Sequence, residues 1–212
     1  MKKHVIALAT LSSLLSMANV QAAPPTAELK VIGKLTVPAC TVTVDDDGVY
    51  DFGRLSATMV KTTNTNTALT PMTKTWTITC DAETYLNFSP VDNRAGSASI
   101  VDTTNFGLGM VNGTGTLGYY KVQMQNAFVD GVASSLFTSA SATFTPAATV
   151  SLTTGQRSGW ATSTANTQKS GKIFSSDIIV SPRLASSASM NGAITDDTNL
   201  DGSLTLSFAY GI

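Results

Sequence analysis

Few side chains in this sequence have types and spacing that could do chemistry, and two cysteines are the most informative of them. Cys40 and Cys80 are the only cysteines in the chain. A metal or redox pair would need close spacing or neighbouring histidines, whereas these two are far apart and the single histidine is His4. In an exported protein such a pair indicates a disulfide, which would close a loop of about 40 residues and stabilise the fold by on the order of 4 kcal/mol.

The sequence contains no set of residues with the types and spacing of a known catalytic site. His4 lies in the N-terminal leader, so Ser-His-Asp, Cys-His and histidine-based metal sites are not expected in the mature protein. The acidic residues 45–47 and 196–197 are adjacent in sequence and followed by turn residues, which is typical of solvated turns. Residues 107–109, Gly-Leu-Gly, open no helix and so do not predict a phosphate loop. We therefore expect no catalytic residue, no cofactor and no enzymatic activity.

One acidic motif matches the start of a calcium-binding loop. Residues 197–202 read D-x-N-x-D-G, which would make Asp197, Asn199 and Asp201 the ligands. The glutamate expected at loop position twelve falls on Phe208, and no helices flank the motif. A polar turn before the last strand explains the pattern equally well, so no metal site is predicted beyond this weak candidate.

The N-terminus has the organisation of a secretory signal peptide. A short basic start precedes an apolar run over residues 5–17, and residues 20–22, Val-Gln-Ala, place small side chains where a signal peptidase cleaves. The apolar run is shorter than the roughly 20 residues that a membrane span needs. We therefore predict a signal peptide over residues 1–22, export into an oxidising compartment, and no insertion of the mature chain into a membrane.

The composition favours strands over helices and argues against nucleic-acid binding. Only 13% of the residues are charged, the formal net charge is −1, and the Lys and Arg residues are scattered rather than gathered in a basic patch. Threonine and valine are abundant, and their β-branched side chains pack well on a pleated surface. The sequence therefore predicts an all-β domain over residues 39–212, preceded by an N-terminal arm over residues 23–38.

Two segments near the ends of the mature chain alternate apolar and polar residues with the period of a β-strand. One face of the first segment carries Leu29, Val31, Gly33, Leu35 and Val37. One face of the second, at the C-terminus, carries Leu204, Leu206, Phe208 and Tyr210. Each of these apolar faces must be buried against another element to be stable in water.

The order of these features resembles the subunits of chaperone–usher pili. Those proteins have a signal peptide, an alternating arm with a central glycine, a cysteine after the arm, a second cysteine further along, and an alternating last strand with an aromatic residue near its end. A narrower resemblance is to a family of exported fimbrial-like proteins that includes a periplasmic protein associated with the glutamate synthase operon. It rests on the order and spacing of residues 39–53, 78–84, 92–94, 106–109 and 200–202.

The resemblance implies an incomplete immunoglobulin-like β-sandwich that lacks its last strand and is completed by a donated strand. It makes residues 28–37 the donor strand and the C-terminal strand the edge that a chaperone holds. The implied partners are a periplasmic pilus chaperone, an outer-membrane usher and neighbouring pilus subunits. The implied role is that of a structural fimbrial subunit in cell adhesion, which passes through the periplasm and ends in a cell-surface fimbrium.

Three alternatives stay open at this point. Residues 28–37 are also compatible with the first strand of the domain itself. The chain is also compatible with a stand-alone periplasmic relative that fills its own groove, or with a minor tip-associated adhesin. For an adhesin, Trp160, Tyr119 and Tyr120 would be candidates for a surface contact, although large aromatic side chains more often pack in a core.

Overall fold

The computed structural model describes residues 24–211, so the predicted signal peptide lies outside the described residues. The chain divides into two units after Thr36. In the first unit, residues 24–36 contain neither helix nor strand, and residues 37–39 of the second unit also lie outside any strand. The alternative in which residues 28–37 form the first strand of the domain is therefore wrong. The large apolar side chains of the arm are 78–104% exposed, namely Leu29, Val31, Ile32, Leu35 and Val37.

The second unit consists of antiparallel β-strands joined by turns and loops, which confirms the all-β prediction. The strands are β1 (Cys40–Thr43), β2 (Thr67–Ala68), β3 (Met72–Asp92), β4 (Phe106–Gly107), β5 (Met110–Val111), β6 (Gly115–Thr116), β7 (Gly118–Val129), β8 (Val132–Ala133), β9 (Ser135–Ser139), β10 (Thr149–Ser151), β11 (Arg157–Ala161), β12 (Ser170–Leu184) and β13 (Leu204–Tyr210). Two short 3-10 turns span Asp45–Gly48 and Ala57–Met59.

Strand β3, at 21 residues, organises the sheet because each of its halves pairs on both edges. In the first half, Thr79 lies opposite both Thr41 of β1 and Ile173 of β12. In the second half, Phe88 lies opposite both Phe208 of β13 and Ser158 of β11. The pairing between β3 and β12 shifts register where the two halves of β3 meet, so β3 carries the chain from one part of the sheet into the other.

The sheet curls so that one of its sides is closed by hydrogen bonds. Its main order is β10-β7-β12-β3-β11-β9, and every pairing in it is antiparallel. At the β9 end, Leu136 and Ala147 exchange two backbone hydrogen bonds of 2.8 Å. Ala147 leads directly into β10, so this side of the curled sheet has no open edge between β9 and β10.

The interior is filled by large aromatic and aliphatic side chains. Trp160 is 1% exposed, packs between Phe88 and Phe174 at centroid distances of 6.3 and 5.2 Å, and donates its indole N–H to the carbonyl of Ser175. Tyr119 and Tyr120 are buried as well. The expectation that these three aromatics pack in the core is confirmed, and they offer no surface contact to a ligand.

The predicted disulfide is present. Cys40 of β1 and Cys80 of β3 are direct cross-strand partners with a Cα–Cα distance of 4.0 Å. The bridge joins the first strand of the domain to the longest one. In the part of the chain from residue 24 to residue 211, no helix is long and apolar enough to cross a membrane.

Candidate functional site

Strand β13 is paired on one edge only. It bonds to the second half of β3 over all seven of its residues, and among residues 24–211 it has no other strand partner. The carbonyl of Ser203 and the N–H of Gly211 both bond to the β3 side of the ladder. Because backbone groups alternate between the two edges of a strand, the N–H and C=O groups of Leu204, Leu206 and Phe208 point toward the unpaired edge.

The inner side chains of β13 are less well covered than those of the other long strands. On β7, Val122 and Met124 are at most 2% exposed, whereas Leu204, Leu206 and Phe208 are only half-buried although they pack against the same core. Tyr210, the next residue on this face, is 41% exposed. A strand with half-covered apolar side chains and an unpaired edge offers a place where a further strand can pair.

A second extended segment, residues 49–56, leads into the 3-10 turn Ala57–Met59 and also lacks a strand partner in the described chain. The residue pattern over 49–53 predicts a short strand, and the alternation is present because Tyr50 and Phe52 are half-buried while Asp51 is exposed. The ladder that would make it a strand is missing. The backbone N–H of Val49 bonds within the preceding turn and that of Gly53 bonds to the Asp51 carboxylate, so neither bond reaches across to another strand.

The entry to this segment is held by the side chain of Tyr50. Its hydroxyl donates to the carbonyl of Ile178 at 3.0 Å and accepts from the indole N–H of Trp76 at 3.1 Å. The ammonium of Lys74 lies 5.7 Å from the centre of the Tyr50 ring and forms an ion pair with Asp46 at 2.6 Å. Burial raises the pKa of Tyr50, so the phenol stays neutral and keeps its donor role. The segment is therefore extended but fixed in place.

A cavity of about 900 Å³ lies between residues 49–57 and the loop 194–200 that leads into β13. Its lining is mixed in polarity and includes these apolar and aromatic side chains: Tyr50, Phe52, Leu55, Val60, Leu117, Leu184, Met190, Ile194 and Leu200. Charged and polar side chains stand at its rim, including Arg54, Asp196 and Asn199. We use the name open region for residues 49–57, residues 194–200 and β13 together.

The calcium candidate is not supported by the geometry. Both carboxylate oxygens of Asp201 are occupied by the guanidinium of Arg94, at 2.7 and 2.8 Å. This ion pair lowers the pKa of Asp201 and directs both carboxylate oxygens toward Arg94. Within the described residues no group of three or more His, Cys, Asp or Glu side chains is placed to hold a metal ion. Asp197 and Asn199 lie instead along the wall of the cavity.

The sequence identified part of the open region and missed the rest. The alternation of Leu204, Leu206, Phe208 and Tyr210 marked β13 as an amphipathic strand, and the structure confirms that strand. The residues predicted to form a donor strand, Leu29, Val31, Gly33, Leu35 and Val37, lie in an exposed stretch without secondary structure. The wall formed by residues 194–200 was missed because a polar loop carries no periodic signal, although Ile194 and Leu200 within it are the apolar residues that face the cavity.

A comparison with known families adds one match. Residues 29–135, half of the chain, match the family model described as Protein of unknown function (DUF1120). The matched range contains the alternating arm, the disulfide, residues 49–57 and strands β1 to β8. No curated protein matches the chain.

Proposed function

We propose that this chain, which belongs to the DUF1120 family of proteins of unknown function, is a structural subunit of a fimbria assembled by strand donation. In this proposal the open region of one copy accepts residues 28–37 of a second copy as an added β-strand. The observation that carries the proposal is the unpaired edge of β13, whose inner side chains are only half-buried, in a domain whose β9–β10 side is closed.

The pairing pattern supports an immunoglobulin-like sandwich that lacks its last strand. In that fold one sheet has the order A-B-E-D and the other contains C, F and G, with G at the edge beside F. Here β1, the first half of β3, β12 and β7 have the first arrangement. The second half of β3 and β13 take the places of C and F, which leaves the place of G empty. Strands β9 and β11 depart from the usual chain order because they follow β7 and extend the second sheet beyond β3.

The arm has the properties that such an empty place requires. A donor strand must offer unpaired backbone groups and place alternate side chains into a row of apolar contacts. Leu29, Val31 and Leu35 alternate along the arm and are almost fully exposed. At Gly33 no atom lies within 4 Å of where a side chain would begin, and glycine leaves one shallow point along the donated face. The apolar pattern of the arm therefore complements the half-buried face of β13.

The remaining parts of the proposal rest on the resemblance of the sequence to chaperone–usher pilins. We infer that a periplasmic chaperone covers the open region before assembly and that an outer-membrane usher exports the subunit. The disulfide supports passage through an oxidising compartment, since such bonds rarely persist in the cytosol. The expected final location is a cell-surface fimbrium with a role in adhesion.

A self-complemented variant tests the proposal directly. Residues 26–38 are deleted from their native position and fused, through a flexible linker, after Ile212 of the mature chain. The matched control carries the same fusion with Leu29, Val31 and Leu35 replaced by serine, which keeps the length and removes the apolar contacts. Thermal melting and molecular mass in solution are measured for the native chain, the fusion and the control.

We expect the native chain to form oligomers or to melt at low temperature, and the fusion to be a monomer with a clearly higher Tm than its serine control. A native chain that is already a stable monomer, with equal Tm values for fusion and control, would overturn the proposal. That result would favour a stand-alone periplasmic protein whose open region is filled by its own chain.

A further inference from the structure

The apolar pattern of β13 does not by itself fix how the strand aligns with β3. Leu204, Leu206, Phe208 and Tyr210 repeat every two residues, so sliding the strand by two positions keeps an apolar side chain at nearly every inward position. The observed register pairs Ser207 with Ser89. A slip by two residues would move every unpaired backbone group of β13 by about 7 Å along the open region. Contacts outside the strand must therefore select the register.

Asn93, the first residue after β3, supplies the first of these contacts. Its backbone N–H donates to the carbonyl of Ser203 at 3.0 Å. Its side-chain amide donates to the hydroxyl oxygens of Ser203 and Thr205, at 2.9 and 3.0 Å. These bonds recognise two hydroxyl residues at the entry of β13. A shift by two positions would put Asp201 and Ser203 at these places in one direction and Thr205 and Ser207 in the other. Because the second set keeps two hydroxyl groups, Asn93 alone does not exclude that slip, and a further contact is needed.

Arg94, the next residue, supplies the second contact. Its guanidinium binds both carboxylate oxygens of Asp201 in a bidentate ion pair, a geometry that adds directional specificity to the attraction of the charges. The backbone N–H of Asp201 in turn donates to the carbonyl of Leu108 at 3.0 Å. Asp201 is thus held from two sides, three residues before β13 begins.

The turn that presents Asn93 and Arg94 is itself braced by Asp92. One carboxylate oxygen of Asp92 accepts from the N–H of Arg94 at 2.8 Å, and the other accepts from the N–H of Gly107 at 2.9 Å. A side chain at Gly107 would overlap the carbonyl of Arg94, so only glycine allows this approach. A Cβ on Gly202 would lie 2.9 Å from the ring of Tyr120, so the backbone just before β13 also packs closely against the domain.

We propose that residues 92–94, bound to residues 201–205, act as a register lock that selects one alignment of β13 on β3. Asn93, Arg94 and Asp201 are positioning residues in this proposal. The lock itself is independent of strand donation. Its consequence rests on the proposed function, since a single register presents one fixed row of backbone groups and half-buried side chains to an incoming strand.

Engineered cysteine pairs report the register in the full mature chain. Ser89→Cys with Ser207→Cys joins direct partners and reports the observed register. Ser89→Cys with Ala209→Cys reports a two-residue slip in one direction, and Tyr85→Cys with Ala209→Cys reports the slip in the other. Direct partners lie within the Cα range that a disulfide accepts, and diagonal neighbours lie beyond it. Each pair is equilibrated in a glutathione buffer, and the bonded fraction is measured by mass spectrometry.

The lock is weakened by Asn93→Ala together with Arg94→Ala, and Arg157→Ala serves as the control because Arg157 bonds a loop carbonyl away from β13. With the native lock or in the control, we expect the observed-register pair to form and the slipped pairs to stay near background. With the lock weakened, we expect the ratio of slipped to observed pair to rise by about tenfold or more. Arg94→Lys, which keeps the charge without the bidentate fork, should give an intermediate ratio.

The inference is overturned if the observed-register pair alone forms in the weakened variant while its Tm falls, because the contacts would then stabilise the fold without selecting the register. If the double variant does not fold, Arg94→Lys decides the question in the same way. None of these readouts depends on a donated strand, so a failed strand-donation experiment and a failed register lock are distinguishable.

Discussion

Substitution of Leu35 tests whether the N-terminal arm acts as a donor strand. The side chain of Leu35 is 104% exposed, so it contributes no burial to the chain as it stands. In the self-complemented fusion, the same residue would lie on the half-buried face beside β13. Leu35→Ala is therefore expected to be neutral in the native arm and costly in the fused one.

The size of the cost follows from the site that the leucine would occupy. Removing a leucine side chain from a fully packed core costs about 2–5 kcal/mol. The inner residues of β13 are half-buried and do not surround a donated side chain on all sides, which places the expected loss near about 2–3 kcal/mol. For a domain of this size that corresponds to a fall in Tm of roughly 4–12 °C. The loss in the native arm should stay within about 0.5 kcal/mol, as for other exposed substitutions.

Urea unfolding of the fusion, followed by tryptophan fluorescence, measures the difference because Trp160 is buried in the core. Lys34→Ala in the same fused strand is the matched control, since residue 34 alternates to the opposite face and is expected to be neutral. The reasoning is refuted if Leu35→Ala and Lys34→Ala in the fusion have equal effects. That outcome would mean that the arm does not place Leu35 against the domain.

Three further outcomes concern the domain itself. Reduction of the Cys40–Cys80 bond, or Cys40→Ser with Cys80→Ser, should lower the unfolding free energy by about 4 kcal/mol, measured by denaturation with and without reductant. Phe174→Ala should cost about 3–5 kcal/mol in the same assay, because the ring is fully buried against Trp160. The lowered pKa of Asp201 means that its stabilising effect is complete above the ordinary carboxyl pKa of about 4 and is lost as the pH falls further. A pH series of melting curves should therefore show Asp201→Asn below the native chain at neutral pH and level with it in strong acid.

The long strand β3 shows how much of the fold a pattern can predict. The sequence pattern predicts two separate strands here, over residues 72–80 and 84–91, with the polar stretch Asp81, Ala82 and Glu83 between them. The structure continues through them, because the inward face keeps the same parity at Cys80, Ala82 and Thr84. The alternation of inward-facing and outward-facing residues is therefore continuous through residues 72–92. The polarity of the middle residues concealed it because they lie where the strand changes from one set of partners to the other.

The open region shows what a pattern cannot predict. Residues 49–53 alternate as a strand does, yet strand formation needs a partner and the described chain supplies none. The motifs around residues 92–94, 106–109 and 200–202 were recognised only by their order along the chain. Their meeting place depends on the path of more than 100 intervening residues, as the separation of 107 between Arg94 and Asp201 shows. No local signal encodes a contact of that kind.

The disulfide also determines how the domain would carry mechanical tension. A pulling force applied to residues 24–36 is transmitted along the backbone to Cys40. From there the disulfide transmits it to Cys80 in β3. The intervening stretch, residues 41–79, is bypassed and bears no tension while the bridge is intact. Because residues 49–57 lie inside that stretch, one wall of the open region keeps its shape under a force that would otherwise unravel it.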